Sequence, residues 1–169
     1  IDEVISRLQQ QQGVPGISVA VANENQLFYS KGFGLAEVEH SVPATAATRY
    51  RTASVAKTLT AVVVLSLAEE NLLDLETDIR KYVPEFPGIR WPVTCRQLLG
   101  HLGGIRHYKN SAEASSTAHF FSLRSALSTF ADDPLTHQPG TKFQYSSFGY
   151  NLLGSIAEAA GDAGFMELL

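Results

Sequence analysis

The strongest pattern along the chain is a run of hydrophobic residues over positions 59–67, in which apolar side chains occupy nearly every side of a helix. A helix that is apolar all round is normally buried, so this run predicts a buried central helix. It is expected to end at Glu69-Glu70-Asn71, because Asn tolerates the left-handed conformation that terminates helices. The run is too short, and too interrupted by Thr60 and Ser66, to predict a membrane-spanning helix.

The N-terminal part of the chain predicts one helix followed by a β-hairpin. Apolar residues recur at helical spacing over positions 2–12, and Gly13 closes that segment. Positions 17–22 are rich in β-branched residues and predict a strand. The polar turn Asn23-Glu24-Asn25 then leads into a second strand over positions 26–32, so the two strands are expected to form a hairpin.

The hairpin does not complete a sheet. Gly32-Phe33-Gly34 is expected to loosen the backbone after the second strand, and Pro43 argues against a central strand in the irregular segment 37–48. A lone hairpin is only marginally stable, and a sheet normally contains more strands. The strands that the sequence predicts are therefore expected to be only part of a larger sheet.

After the central helix the pattern predicts mostly helices and loops. Helices are expected over positions 95–99, 120–130 and 150–160, from their apolar spacing and from the glycines and prolines around them. The segment 72–92 contains breaker prolines and is expected to be mainly loop, and the small polar residues 111–116 are expected to form a flexible surface segment.

The predicted elements indicate a mixed α/β (α+β) fold. We expect one domain over residues 1–169, with the N-terminal helix and hairpin in residues 1–52 and a helical part in residues 53–169. No internal repeat or low-complexity tract interrupts it.

Composition and charge narrow the classes of function. The 169 residues suffice for one domain with a sizeable core, and 44% hydrophobic with 18% charged residues is typical of globular proteins. The net charge of -4, without a basic stripe, argues against a nucleic-acid partner. The single cysteine, Cys95, has no partner for an internal disulfide and is expected to be a small buried core residue.

The first turn of the central helix carries the polar residues of most interest. Ser54 and Lys57 are three residues apart, so both side chains project from one face. An amine held beside a hydroxyl can take its proton and make the serine a nucleophile. The alternative is that Ser54 caps the helix and Lys57 extends to solvent, because a bare Ser-x-x-Lys match is weak evidence.

Three stretches together resemble one family. Ser54-Val55-Ala56-Lys57 resembles the Ser-x-x-Lys motif of serine β-lactamases and penicillin-binding proteins. Residues 98–105 are similar to the family's Leu-Leu-x-His-x-x-Gly segment, and residues 139–147 resemble the segment that carries the Tyr-x-Asn motif in class C β-lactamases and related esterases. Residues 101–108 and 145–150 look most like those of mitochondrial serine β-lactamase-like proteins and their bacterial relatives. The resemblance implies a β-lactamase/transpeptidase-like fold.

The resemblance also implies acyl transfer on a small-molecule or peptide substrate. Ser54 would attack a carbonyl and form an acyl-enzyme, and Lys57 would take or relay its proton. Tyr145 would be the partner base or the acid for the leaving group, and the base remains open between Lys57 and Tyr145. Without the family, a half-buried aromatic residue is the simpler interpretation of Tyr145. No metal or organic cofactor is implied, and relatives are mostly mitochondrial or, in bacteria, extracytoplasmic.

The chain departs from the family pattern in two places. Ser147 stands where the second motif has Asn; its hydroxyl can still bind Lys57 or a substrate amide, but it offers fewer donors and so favours an ester or peptide over a β-lactam. The third motif, Lys-Thr-Gly or His-x-Gly, has no counterpart. In the family its strand supplies one of the two oxyanion-hole amides, and loss of one such donor typically costs on the order of 10²–10³ in rate. We therefore expect the chain, which begins at Ile1, to be the N-terminal part of a longer or processed protein.

Two other functions keep the same fold. One is a catalytically weak or inactive structural protein that forms homo-oligomers or filaments, and the other is a penicillin-binding protein that holds its acyl group. None of the five histidines has a metal-ligand spacing such as His-Glu-x-x-His, so no metal site is expected. His101 is expected to bond the loop backbone beneath the site.

Overall fold

The computed structural model describes residues 1–87 and 90–169. Within these ranges it contains three strands and seven α-helices, which confirms the mixed fold class. The chain divides into two units, Ile1–Arg51 and Thr52–Leu169.

The first unit contains the predicted helix and hairpin. Helix α1 (Asp2–Gln12) ends at Gly13, whose φ of 63° is in the left-handed region that favours glycine. Strand β1 (Gly16–Asn23) pairs antiparallel with β2 (Gln26–Glu37). The two residues between them, Glu24 and Asn25, both have positive φ, as the tight hairpin turns that match strand twist require.

The prediction that β2 ends near Gly32 is wrong, because β2 continues to Glu37. Gly32 permits a close backbone approach inside the strand: a Cβ placed there would lie 2.2 Å from the carbonyl oxygen of Ala44. The short strand β3 (Val42–Pro43) pairs with the end of β2, at an edge where proline is tolerated.

The second unit begins with a 3₁₀ turn (Ala53–Val55) that leads directly into α2 (Ala56–Glu69). The helix ends where the sequence predicts, since Asn71 has a φ of 61° and the amide of Leu72 donates to the carbonyl of Leu67.

The prediction that α2 is buried all round is wrong for this chain. Val63, Val64 and Leu67 are buried, but Leu59, Val62 and Leu65 are 44%, 56% and 49% exposed. The buried side packs on the core of its own unit, and residues on the other side remain open to solvent, so hydrophobicity alone did not identify the covered face.

The segments after α2 agree only in part with the prediction. Helix α3 (Cys95–Leu99) is confirmed, with the Thr94 side chain and Gln97 forming a capping box at its start. The expected flexible segment is instead helix α4 (Ser111–Ala114), because Asn110 accepts a hydrogen bond from the amide of Glu113 and so caps it.

The helix expected over residues 120–130 is reduced to α5 (Leu123–Ala126) and a 3₁₀ turn (Leu127–Thr129). It begins late because the side chain of Ser122 caps it by accepting from the amide of Ser125. A last short helix, α7 (Phe165–Leu168), was not predicted.

The core of the second unit lies around α6 (Ser147–Gly161), which begins three residues earlier than predicted. Its inward residues are fully buried, as their spacing predicts: Leu152, Leu153, Ile156 and Ala157. Helices α2, α3, α5 and α7 all contact α6. Cys95 is also fully buried, as expected, and burial raises the pKa of its thiol to about 12. None of the helices in residues 1–87 and 90–169 has the length and hydropathy needed to cross a membrane.

Candidate active site

Ser54 lies on the 3₁₀ turn that precedes α2 and is exposed to solvent. The residue before it, Ala53, has a φ of 45°, a left-handed conformation that costs free energy for a residue with a side chain. The N-cap of α2 is Val55, and no side chain caps it. Ser54 therefore does not act as the helix cap.

The Lys57 side chain runs back along the first turn of α2 toward Ser54. Its Nζ lies 3.3 Å from the Ser54 Oγ and 3.1 Å from the Ser147 Oγ, and the residue is half-buried. The amine thus connects the start of α2 with the start of α6 instead of extending to solvent. Because the two helices pack together, the pairing is fixed by the core beneath it.

Tyr145 contacts the same serine from the other side. Its phenol donates to the Ser54 Oγ at 2.7 Å, and the Lys57 Nζ lies 5.0 Å from the centroid of its ring. Its hydrogen bonding with Lys57, and to a smaller extent with Ser54, lowers the pKa of the Tyr145 phenol, and burial opposes this only in part. The four predicted site residues, Ser54, Lys57, Tyr145 and Ser147, are therefore brought together.

Ser147 is the first residue of α6 and is buried. Its hydroxyl accepts the hydrogen bond from Lys57. Its role in substrate binding stays a prediction.

Two histidines hold the segment that carries Tyr145 and Ser147. The amide of Ser146 donates to the Nδ1 of His101 at 3.1 Å, and the amide of Ser147 donates to the Nδ1 of His107 at 3.2 Å. The His101 ring also lies against the Tyr145 ring, with the centroids 4.6 Å apart. His101 therefore bonds the loop backbone beneath the site, as expected, and His107 does the same without having been predicted.

Arg106, next to His107, is a buried anchor that the sequence interpretation missed. It is 9% exposed, and all five of its N–H donors are used. Nε donates to Asp133 at 2.5 Å, Nη1 to Glu113 and the carbonyl of His107, and Nη2 to Glu113 and the carbonyl of Thr129. The signal available was a lone arginine directly after the apolar and glycine residues 102–105.

The backbone of Arg106 extends this support to α6. Its carbonyl accepts from the Ser146 Oγ at 2.7 Å, and the same oxygen of Ser146 caps α6 by accepting from the amide of Gly149 at 2.9 Å. The buried ion pairs thus fix the loop that holds the start of α6, and with it the site.

No group of three or more His, Cys, Asp or Glu side chains within residues 1–87 and 90–169 is placed to hold a metal ion. The chemistry of this site is that of a hydroxyl between an amine and a phenol, a combination suited to nucleophilic catalysis by serine.

Comparison with known proteins agrees with this arrangement. The Beta-lactamase family model matches residues 1–169. The chain belongs to the beta-lactamase family. The expected β-lactamase/transpeptidase-like fold is confirmed by solved structures: the octameric penicillin-binding protein homologue from Pyrococcus abyssi matches 98% of this chain with a TM-score of 0.83 at 29% identity, and a class C beta-lactamase matches 97% with a TM-score of 0.77 at 25% identity.

The similar proteins of known sequence include a mitochondrial serine beta-lactamase-like protein, as predicted, and bacterial proteins. The human mitochondrial serine beta-lactamase-like protein LACTB is 28% identical over 235 residues, covering 99% of this chain. Protein flp of Staphylococcus aureus (strain MRSA252) is 35% identical over 162 residues, covering 94%. The chain spans only 43% of the human protein and 32% of the bacterial one, and 40% of the Pyrococcus chain.

Proposed function

We propose that this chain carries the acylation site of a serine hydrolase, in which Ser54 attacks the carbonyl of an ester, amide or peptide. The observation that supports this most strongly is the position of the Ser54 Oγ, within 2.7 Å of the Tyr145 hydroxyl and 3.3 Å of the Lys57 amine. A serine hydroxyl is a weak nucleophile until a neighbouring base takes its proton. Membership of a family of serine hydrolases agrees with this role.

The geometry favours Tyr145 over Lys57 as the base in this proposal. The phenol is the nearer group. Its hydrogen bonding with Lys57, and to a smaller extent with Ser54, lowers its pKa. The phenolate form would take the Ser54 proton as Oγ bonds to the carbonyl carbon. The resulting phenol would then give that proton to the departing alcohol or amine, which leaves an acyl group on Ser54.

Lys57 has a supporting role in this scheme. Its amine contacts both Ser54 and Ser147, and it lies over the Tyr145 ring. A positive charge in this place stabilises the phenolate before the reaction and the developing charge during it. Water would release the acyl group in a second step, with Tyr145 acting again as the base.

Covalent labelling tests the nucleophile directly. We expect a fluorophosphonate probe to form a phosphonyl ester on Ser54, identified by peptide mass mapping. Ser54→Ala should abolish the label, and Ser66→Ala, which removes an exposed serine from α2, should leave it unchanged. Labelling that survives Ser54→Ala, or a label found on another residue, would contradict the proposal.

The rate of deacylation separates a hydrolase from a protein that holds its acyl group. If the protein is a hydrolase, an ester-derived adduct on Ser54 should disappear on the time scale of turnover, with release of the free acid. An adduct that persists for hours would support penicillin-binding without hydrolysis. No adduct with any ester or β-lactam would favour the structural alternative.

A further inference from the structure

The first amides of α6 have unusual acceptors. The initial N–H groups of a helix have no partner within the helix and are normally satisfied by a cap or by water. Here two consecutive amides, those of Ser146 and Ser147, donate to the Nδ1 atoms of His101 and His107. The cap formed by the Ser146 hydroxyl serves a third amide, that of Gly149.

These contacts define the chemical state of both rings. A nitrogen that accepts a hydrogen bond carries no proton, so each imidazole must be neutral with its proton on Nε2. An imidazolium has protons on both nitrogens, so it would turn an N–H of its own toward the backbone amide. Protonation of either ring is therefore incompatible with the observed contact.

The segment held in this way carries the residues that contact Ser54 and Lys57. Tyr145 precedes Ser146 and donates to Ser54, and Ser147 accepts from Lys57 at 3.1 Å. A shift of about 1 Å in a positioned group can cost on the order of 100-fold in rate. The two imidazoles thus control the geometry of the site without touching the reacting atoms.

We propose that His101 and His107 are paired positioning residues, whose neutral rings hold residues 145–147 in the arrangement needed for acylation of Ser54 and whose protonation releases them. The effect on acylation rests on the proposed function, whereas the contacts themselves do not.

The charged and titratable groups around the two rings favour their neutral form. Burial lowers the pKa of both histidines, and the positive charge of Lys57 lowers each further. On His107 the carboxylate of Glu113 acts in the opposite direction. A positive charge on His107 also lowers the pKa of His101. The titratable aromatic residues that lie against the rings are Tyr108, Tyr145 and Tyr150.

The sign of the pH effect follows from these shifts. The folded protein holds both rings neutral at pH 7, and charging them requires a pH below the ordinary histidine value of about 6.5. The clamp is the pair of hydrogen bonds from the Ser146 and Ser147 amides to His101 and His107. We therefore expect the acylation rate to fall in acid as this clamp is released, in addition to any fall caused by protonation of Tyr145.

Substitution of the histidines by asparagine separates their role as hydrogen-bond acceptors from the effect of their protonation. The Asn amide oxygen can accept a backbone hydrogen bond and does not ionise. We expect His107→Leu to reduce the acylation rate about 10- to 100-fold at pH 7.5, and His107→Asn to restore much of it. The double variant His101→Asn, His107→Asn should keep its rate to lower pH than the wild type, and His119→Asn, at an exposed histidine, should not change the profile.

NMR spectroscopy tests the clamp independently of any enzymatic activity. In ¹⁵N NMR spectra of the whole protein at pH 7.5, the Nδ1 atoms of His101 and His107 should be unprotonated, and the Ser146 and Ser147 amide signals should move together with ring protonation. Protonated Nδ1 atoms at pH 7.5 would overturn the clamp whatever the activity. Equal acylation rates and equal pH profiles in wild type and His107→Leu would overturn the positioning role. Correct tautomers in a protein that is never acylated would support the clamp and contradict the proposed function.

Discussion

The Ser54 hydroxyl lies between a phenol at 2.7 Å and an amine at 3.3 Å, and the two partners come from segments about 90 residues apart in the chain. The proposed transfer of the Ser54 proton therefore depends on a single residue, Tyr145. We expect Tyr145→Phe to reduce the acylation rate about 10²- to 10⁴-fold, the usual contribution of a positioned acid or base. Stopped-flow measurement with an activated ester would give this rate.

The pH dependence of that rate checks the assignment of the base. The pKa of Tyr145 is lowered from 10, so the phenolate becomes available as the pH rises toward that value and is lost as the pH falls. The wild-type rate should therefore increase with pH above neutrality, and Tyr145→Phe should lack this increase. A wild-type and variant profile of the same shape would assign the base to another group.

The ion pairs of Arg106 predict a loss of stability in acid. Hydrogen bonds from Arg106 lower the pKa of Glu113, and those from Lys109 and Arg106 lower the pKa of Asp133. Groups with lowered folded pKa values stabilise the protein above the unfolded carboxyl values, about 4, and this contribution is lost as the pH falls through the folded values.

Arg106→Met should therefore lower the unfolding temperature by several degrees at pH 7, and the gap to wild type should narrow at pH 3. The control Arg96→Met removes an exposed pair with Glu76, which should matter little. Unfolding followed by circular dichroism at both pH values would measure this, and a gap that stays constant with pH would refute the role given to the carboxylates.

The sequence predicted only some of these residues. Ser54, Lys57 and Tyr145 are recognisable because they lie in short motifs that resemble those of the family. Arg106 and His107 act through hydrogen bonds to residues up to 40 positions away, and such contacts depend on how loops fold over one another. His101 was expected to bond a backbone, but its partner could not be named.

Among the secondary-structure elements, α6 contributes both to the site and to the core, through different parts of its sequence. Its first turn presents Ser147 to Lys57, and its middle fills the core. Ile156→Ala should lower the free energy of unfolding by about 2–5 kcal/mol, because it removes a fully buried side chain. The control Asn151→Ala, on the exposed side of the same helix, should change it by about 0.5 kcal/mol or less.

Urea unfolding of the two variants would measure both effects. Equal destabilisation by the two substitutions would contradict the placement of the core.

The bounds of an element could be predicted where residues within or next to that element determine them. The ends of α1 and α2 follow from Gly13 and Asn71, and α3 follows from the apolar spacing of residues 95–99. The extension of β2 could not be predicted, because Gly32 is explained only by the backbone of Ala44 beside it. The covered side of α2 likewise depends on where α6 packs, which a helix that is apolar all round does not reveal.

At the scale of the whole molecule, the proposed chemistry lies in one of the two units. Ser54, Lys57, Tyr145 and Ser147 all belong to Thr52–Leu169, and the unit Ile1–Arg51 contributes a helix and a three-stranded sheet. The chain spans less than half of the relatives it resembles. Reagents that modify Ser54 therefore test the proposed nucleophile without requiring the substrate that the whole protein accepts.

The intact mass of the protein shows whether Ser54 becomes acylated. The mass would be measured before and after incubation with an activated ester and, separately, with a penicillin, for the wild type and for Ser54→Ala. We predict a single added acyl group on the wild type alone, with the ester accepted more readily than the penicillin because Ser147 replaces the Asn of the second motif. An unchanged wild-type mass with both reagents, or the same adduct on Ser54→Ala, would show that Ser54 is not the acylated nucleophile.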